Sequence, residues 1–104
     1  MPERPDTLLT LIVPAALEET VSDLLLDAPD IAAGFTTSLA SGHGAGLELE
    51  SGNERVRGQG RRVKFEIALN SNSLARLRGY LRAALPEANL YYWTLELRSC
   101  GMLS

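Results

Sequence analysis

The strictest pattern in the chain is Arg62-Val63-Lys64-Phe65-Glu66-Ile67-Ala68-Leu69. Its alternation sends Val63, Phe65, Ile67 and Leu69 to one face and Arg62, Lys64 and Glu66 to the other, which predicts a strand packed on one side. Ahead of it, residues 41 to 60 form a polar excursion of about twenty residues, with glycines at both ends: Gly42, Gly44 and Gly46, then Gly58 and Gly60. Compact domains seldom carry so long a structureless segment unless it binds something, so the excursion is the first place to look for function.

The remaining elements are legible from their periods. Residues 1–6 read as a frayed polar lead punctuated by Pro2 and Pro5. Thr7 to Val13 is apolar at both parities, which predicts a central strand covered on both faces. Pro14 suits a first helical turn, where a missing N–H costs nothing. Leu17, Val21, Leu24 and Leu25 then form one stripe of a helix, which stops at Asp27-Ala28-Pro29-Asp30. Phe35 to Ala40 reads as a second, less apolar strand near an edge. After the Arg62–Leu69 strand, Asn70-Ser71-Asn72-Ser73 supplies helix caps, and Leu74, Leu77, Leu81 and Leu85 mark a second amphipathic helix that ends at Pro86. Leu90 to Leu97 is a fourth strand, with Trp93, Leu95 and Leu97 at one parity and Tyr92, Thr94 and Glu96 at the other.

Strand, helix, strand, strand, helix, strand with right-handed crossovers gives an α+β, ferredoxin-like βαββαβ fold: a four-stranded antiparallel sheet with two helices on one face. A chain of 104 residues is one domain, residues 1–104, with no second layer for the other face. That face is expected to show Leu8, Thr10 and Ile12, together with Tyr92 and Thr94. Exposed apolar sheet marks a partner surface, so sheets are expected to pack on sheets in an oligomer.

A net charge of -3 is too small to point to nucleic acid, although Arg55, Arg57, Arg61, Arg62 and Lys64 cluster. The cluster reads either as a local anion site or as a solvated loop stem. A single cysteine, Cys100, excludes an internal disulfide and fits a reducing compartment, and no apolar run approaches the roughly 18 residues of a membrane span. The N-terminus lacks the basic and apolar regions of a secretion signal, so a cytoplasmic protein without direct membrane insertion is expected.

In element order, in the glycine-flanked loop and in Val63-Lys64-Phe65-Glu66-Ile67, residues 7 to 97 resemble the PII superfamily of small trimeric signalling proteins. Gly42-His43-Gly44 matches the Gly-x-Gly that opens the T-loop of that family. With Val56-Arg57-Gly58, Arg61-Arg62-Val63 and Tyr92-Trp93, the chain is similar to a PII-like group encoded beside heavy-metal efflux pumps of the resistance-nodulation-division type. The resemblance implies a homotrimer and a protein partner such as an efflux pump component. Nucleotide-binding PII proteins have an arginine after the first Gly-x-Gly and a glycine- and lysine-rich phosphate loop before the fourth strand. Here those places hold Ala45 and Leu85-Pro86-Glu87-Ala88-Asn89, so ATP or ADP binding of the PII kind is not expected.

His43 is the sole histidine and lies between two glycines. An imidazole is a good ligand for Zn, Cu, Ni or Co, but one ligand is not a site. Glu48, Glu50, Glu54 and Cys100 are candidate companions, or a three-fold axis can gather three copies of His43; the alternative is a polar loop residue with no ligand. Arg57, Arg61 and Arg62 around Gly58 and Gly60 suit an anion. Tyr91, Tyr92 and Trp93 read as core and subunit interface. Cys100 lacks the cationic surroundings of a reactive thiol, and no triad or carboxylate pair suggests an enzyme. The leading expectation is a regulatory module whose long loop responds to a small effector or divalent metal, with Gly42, His43, Gly44, Arg57, Gly58, Arg61 and Arg62 as ligand-binding candidates. A metal-binding chaperone or buffer using His43 is the alternative.

Overall fold

A computed structural model describes residues 4–43 and 60–103. The elements follow the expected order: β1 (Thr7–Pro14), α1 (Glu18–Leu26), β2 (Thr36–Gly42), β3 (Gly60–Leu69), α2 (Leu74–Ala84) and β4 (Tyr91–Glu96). Short 3-10 turns, Ala15–Leu17 and Ser71–Ser73, lead into the two helices. Pro14 closes β1 and flanks the first of these turns rather than lying within the helix itself. The sheet is antiparallel throughout, in the order β2-β3-β1-β4. This is the ferredoxin-like α+β arrangement expected from the periodicity, with β1 inside and β2 at an edge.

One face of the sheet carries the core. Leu9, Val13, Phe65 and Ile67 are fully buried against Val21 and Leu25 of α1 and Leu77 and Leu81 of α2. Each such side chain contributes about 1.5–3 kcal/mol through burial. Phe35, just before β2, packs on Phe65 with ring centroids 5.6 Å apart. The Tyr80 hydroxyl donates to the Leu24 carbonyl at 2.7 Å and ties α2 to α1. The stripes read from the helical spacing are therefore the faces that pack.

Arg4 to Asp6 lie in the lead expected to be frayed, yet they are tied to the sheet. Asn70 Nδ2 donates to the Arg4 carbonyl at 2.9 Å, and the Leu97 N–H donates to the Asp6 carbonyl at 2.8 Å. The Asp6 carboxylate accepts from the Thr7 hydroxyl at 2.9 Å and the Ser71 N–H at 2.8 Å. These bonds, that of the Thr7 hydroxyl first, hold its pKa below the ordinary carboxylate range. Asp6 thus joins the start of β1, the end of β4 and the turn that opens the second helical unit.

The register corrects one sequence expectation. Across β1 and β4, Tyr91 lies opposite Ile12, Trp93 opposite Thr10 and Leu95 opposite Leu8, whereas Tyr92 lies opposite Leu11 and Thr94 opposite Leu9. Directly paired residues share a face. Tyr91, Trp93 and Leu95 therefore occupy the open face, and Tyr92 and Thr94 turn to the helix side, the reverse of the expected assignment. Three consecutive rings leave the apolar pattern of β4 ambiguous, and only pairing with β1, itself set by the strict alternation of β3, resolves it.

Candidate functional site

The loop root and the aromatic strand meet on the open face. β2 and β3 pair from Thr36 with Glu66 to Gly42 with Gly60, so the excursion leaves and re-enters the sheet at one point. Gly42 is buried and His43, one residue on, is exposed. Beside them lies a hollow of about 570 Å³ lined by Ile12 of β1, Ala40 to His43, Lys64 of β3, and Tyr91 and Trp93 of β4. The Tyr91 and Trp93 rings meet edge to face, with centroids 6.2 Å apart. Trp93 is 43% exposed, while its cross-strand partner Thr10 is 3% exposed, so the indole roofs the strand and leaves the rest of its surface open. Lys64 Nζ stands 4.0 Å from Glu66 on the same face, with both side chains over a third exposed. That contact is at the outer limit of an ion pair and holds the ammonium weakly.

The arginines separate. Strand alternation places Arg61 and Arg62 on opposite faces of β3. Arg61 is exposed, whereas Arg62 is 3% exposed and donates from Nη1 to the Arg61 carbonyl at 3.0 Å. Gly44, Arg57 and Gly58 lie outside the described residues, as do Glu48, Glu50 and Glu54. Among the described residues, no group of three His, Cys, Asp or Glu side chains could hold a metal ion. Cys100 is exposed.

A second cleft, about 330 Å³, lies on the helix side between α2 and β4. Leu11, Leu81 and Tyr92 form apolar parts of it, the Leu85–Leu90 connection flanks it, and Arg78 and Arg82 bring positive charge. The Arg78 guanidinium carbon lies 4.8 Å from the centroid of the Tyr92 ring. Sequence reasoning assigned the aromatics to core and interface. It named neither cleft, because each draws its walls from strands distant in sequence.

A family model, DUF3240, described as a protein of unknown function, matches residues 3–104. The chain belongs to the DUF3240 family. No curated protein matches it. The crystal structure of a DUF3240 family protein from Shewanella baltica OS155 is similar at a TM-score of 0.77 and 22% identity, covering 98% of this chain and 100% of that one. CPII from Thiomonas intermedia K12, a nitrogen regulatory PII-like protein bound to ADP, AMP and bicarbonate, is similar at a TM-score of 0.68 and 17% identity, over 95% of this chain and 97% of that one. CutA from Synechococcus elongatus PCC7942, complexed with Bis-Tris, gives a TM-score of 0.69 at 14% identity, over 93% and 84% of the two chains. The resemblance to PII-like proteins read from the sequence thus holds at the level of the DUF3240 fold. Among the described residues, no helix is long and apolar enough to cross a membrane.

Proposed function

We propose that this chain is a PII-like regulatory module, a cytoplasmic homotrimer whose 41–60 excursion responds to a small effector or metal and thereby alters contact with a protein partner. The observation that carries this reading is the placement of the excursion's root beside a bare aromatic sheet face. Tyr91, Trp93 and Leu95 are 49%, 43% and 58% exposed there, next to nearly buried Thr10 and Ile12. A surface of that kind favours burial against copies of itself. A polar, glycine-rich segment rooted at its margin is of a kind that can change order on binding at low cost. The link to an efflux pump comes from the family resemblance alone. The reading is of a binding module without catalytic apparatus, and Arg61 and Arg62 are the ligand-binding candidates nearest the root of the returning strand.

Calorimetric titration of the purified oligomer with Cu²⁺, Zn²⁺, Ni²⁺, ATP, ADP, AMP, cyclic AMP and bicarbonate tests it, paired with hydrogen exchange at residues 40–43 and 60–62. ADP, AMP and bicarbonate follow from what CPII holds. The two PII features replaced here by Ala45 and Leu85–Asn89 argue that any adenine nucleotide binds through other contacts. Binding heat accompanied by slowed exchange at the loop root is the expected result, and heat with no change in exchange would contradict a responsive loop. The metal-buffer alternative predicts metal heat abolished in His43→Ala, with nucleotides silent. The Lys64 ammonium lining the same hollow as His43 disfavours a dication there.

A further inference from the structure

We propose that the cleft between α2 and β4 is a docking site for an acidic peptide segment of a partner protein, in which two carboxylates flank one large apolar side chain. The two walls of the cleft differ in chemistry. Arg78 and Arg82 stand on the α2 side, one helical turn apart, and Leu90 and Tyr92 stand on the β4 side, with Leu11 and Leu81 as further apolar lining. The charged residues of Leu74–Ala84 are all arginines, in a chain whose net charge is -3, so α2 is a local departure toward positive potential.

The arginines set the sign of the occupant. Like charges at i and i+4 of a helix repel, and a carboxylate shared between them offsets that cost. Arg78 is already placed to accept one: its guanidinium carbon lies over the Tyr92 ring, 4.8 Å from the centroid. A guanidinium over a ring offers its charge to the π face and keeps its in-plane N–H donors for an acceptor.

The spacing sets the form of the occupant. Four residues of a helix rise about 6 Å, and two residues of an extended chain rise about 6.8 Å. Carboxylates at i and i+2 of an extended peptide therefore match Arg78 and Arg82, and the residue between them turns to the opposite wall, which is the apolar one. The cleft volume, about 330 Å³, is at the low end for a ligand site and suits one large side chain. Tyr92 is 40% exposed, so an aromatic anchor seated against it removes further ring surface from water. Asn89, also in the lining, can both donate to and accept from a peptide backbone. A nucleic acid fits less well, because phosphate binding draws on many cationic contacts and half of this cleft is apolar.

The walls are distinct from the face on which copies of the chain are proposed to pack. Tyr92 shares the helix side with its cross-strand partner Leu11, whereas Tyr91, Trp93 and Leu95 lie on the other side of the sheet. The inference goes beyond the regulatory reading and stands whether or not the excursion responds to an effector.

The test uses the capped peptide Ser-Asp-Phe-Asp-Ser as probe, titrated into the intact oligomer by calorimetry, with backbone amide resonances followed by NMR. Saturable binding is expected, with shifts concentrated at residues 78–92. The peptides Ser-Asn-Phe-Asn-Ser and Ser-Asp-Ala-Asp-Ser should each bind about 10-fold more weakly, the first for lost charge and the second for lost burial. Arg82→Gln, at an exposed position, should weaken the acidic peptide by about 10-fold without altering the far-UV circular dichroism, and Arg78→Gln should do the same. Equal affinity for the acidic and amide peptides, no effect of either arginine substitution, shifts confined to other regions, or no saturation would overturn the proposal. So would a uridine pentanucleotide that binds as tightly and with the same dependence on Arg82. Exchange at residues 40–43 and 60–62 is read separately, so failure of this site leaves the regulatory reading standing, and an unresponsive excursion leaves the site standing.

Discussion

The two faces of this sheet are built from the same strands and meet different fates. On the helix side, Leu9, Val13, Phe65 and Ile67 show no exposed surface, because α1 and α2 lie across them. On the other side, Leu8, Ile12, Tyr91, Trp93 and Leu95 form an apolar half beside β3's Lys64 and Glu66, and no element among the described residues crosses it. The helix face is therefore complete within one chain, and its side chains act on folding. On the open face Thr10 and Ile12 are buried as well, but Tyr91, Trp93 and Leu95 stay 49%, 43% and 58% exposed, and on the reading proposed above these are the side chains that act on association. On that reading, single-chain stability and association are separated across one sheet.

Substitutions on opposite faces should consequently fail in different ways. The largest effect belongs to Phe65→Ala, which deletes a fully buried ring at the centre of the core and should cost about 3–5 kcal/mol in urea unfolding. A loss under about 1 kcal/mol would mean that the helix face is not the folding core. Trp93→Ser on the open face should leave the far-UV circular dichroism intact but remove the concentration dependence of the thermal midpoint. Unfolding of this variant at all concentrations would instead place Trp93 in the core.

Asp6 sharpens the comparison at the sheet's margin. Its folded pKa is shifted below the unfolded carboxylate value, near 3.9, so the stabilisation it gives is present above that value. It is lost as pH falls through the lower folded value. Asp6→Asn should flatten this part of the stability profile below about pH 4, read by thermal melts at stepped pH. An unchanged acid limb would show that the bonds to Thr7 and Ser71 do not survive in solution. The smallest effect belongs to the surface pair Arg76 and Asp30, 3.2 Å apart and mostly exposed. Asp30→Asn should move urea stability by at most about 0.5 kcal/mol, and a larger change would reveal coupling between α2 and the segment after α1.

The sequence was most informative where one period dominated. Strict alternation from Arg62 to Leu69, and leucine spacing in both helices, left each element a single way to lie, and the core of β1, β3, α1 and α2 follows from them. β4 was misread because Tyr91, Tyr92 and Trp93 are apolar at both parities, so its facing depended on pairing with β1, a long-range fact. Asp6 was missed for a related reason. Its partner Ser71 is distant in sequence, and the only local sign was an aspartate directly before an apolar strand. His43 and Gly42 were found as part of a glycine motif, and the fold sets them by the hollow. Lys64, Tyr91 and Trp93 were read as strand residues and join them only through the β2-β3-β1-β4 order. Gly44, Arg57 and Gly58 lie outside the described residues, so the anion reading rests on Arg61 and Arg62, which alternation sends to opposite faces.

Sedimentation velocity of the wild-type protein across a dilution series addresses most directly the claim that copies of the chain cover its open face. A species of three times the 11.3 kDa chain mass, persisting into the micromolar range, is the predicted result. A single stable species at the mass of one chain, with Trp93 and Leu95 left in water, would contradict it.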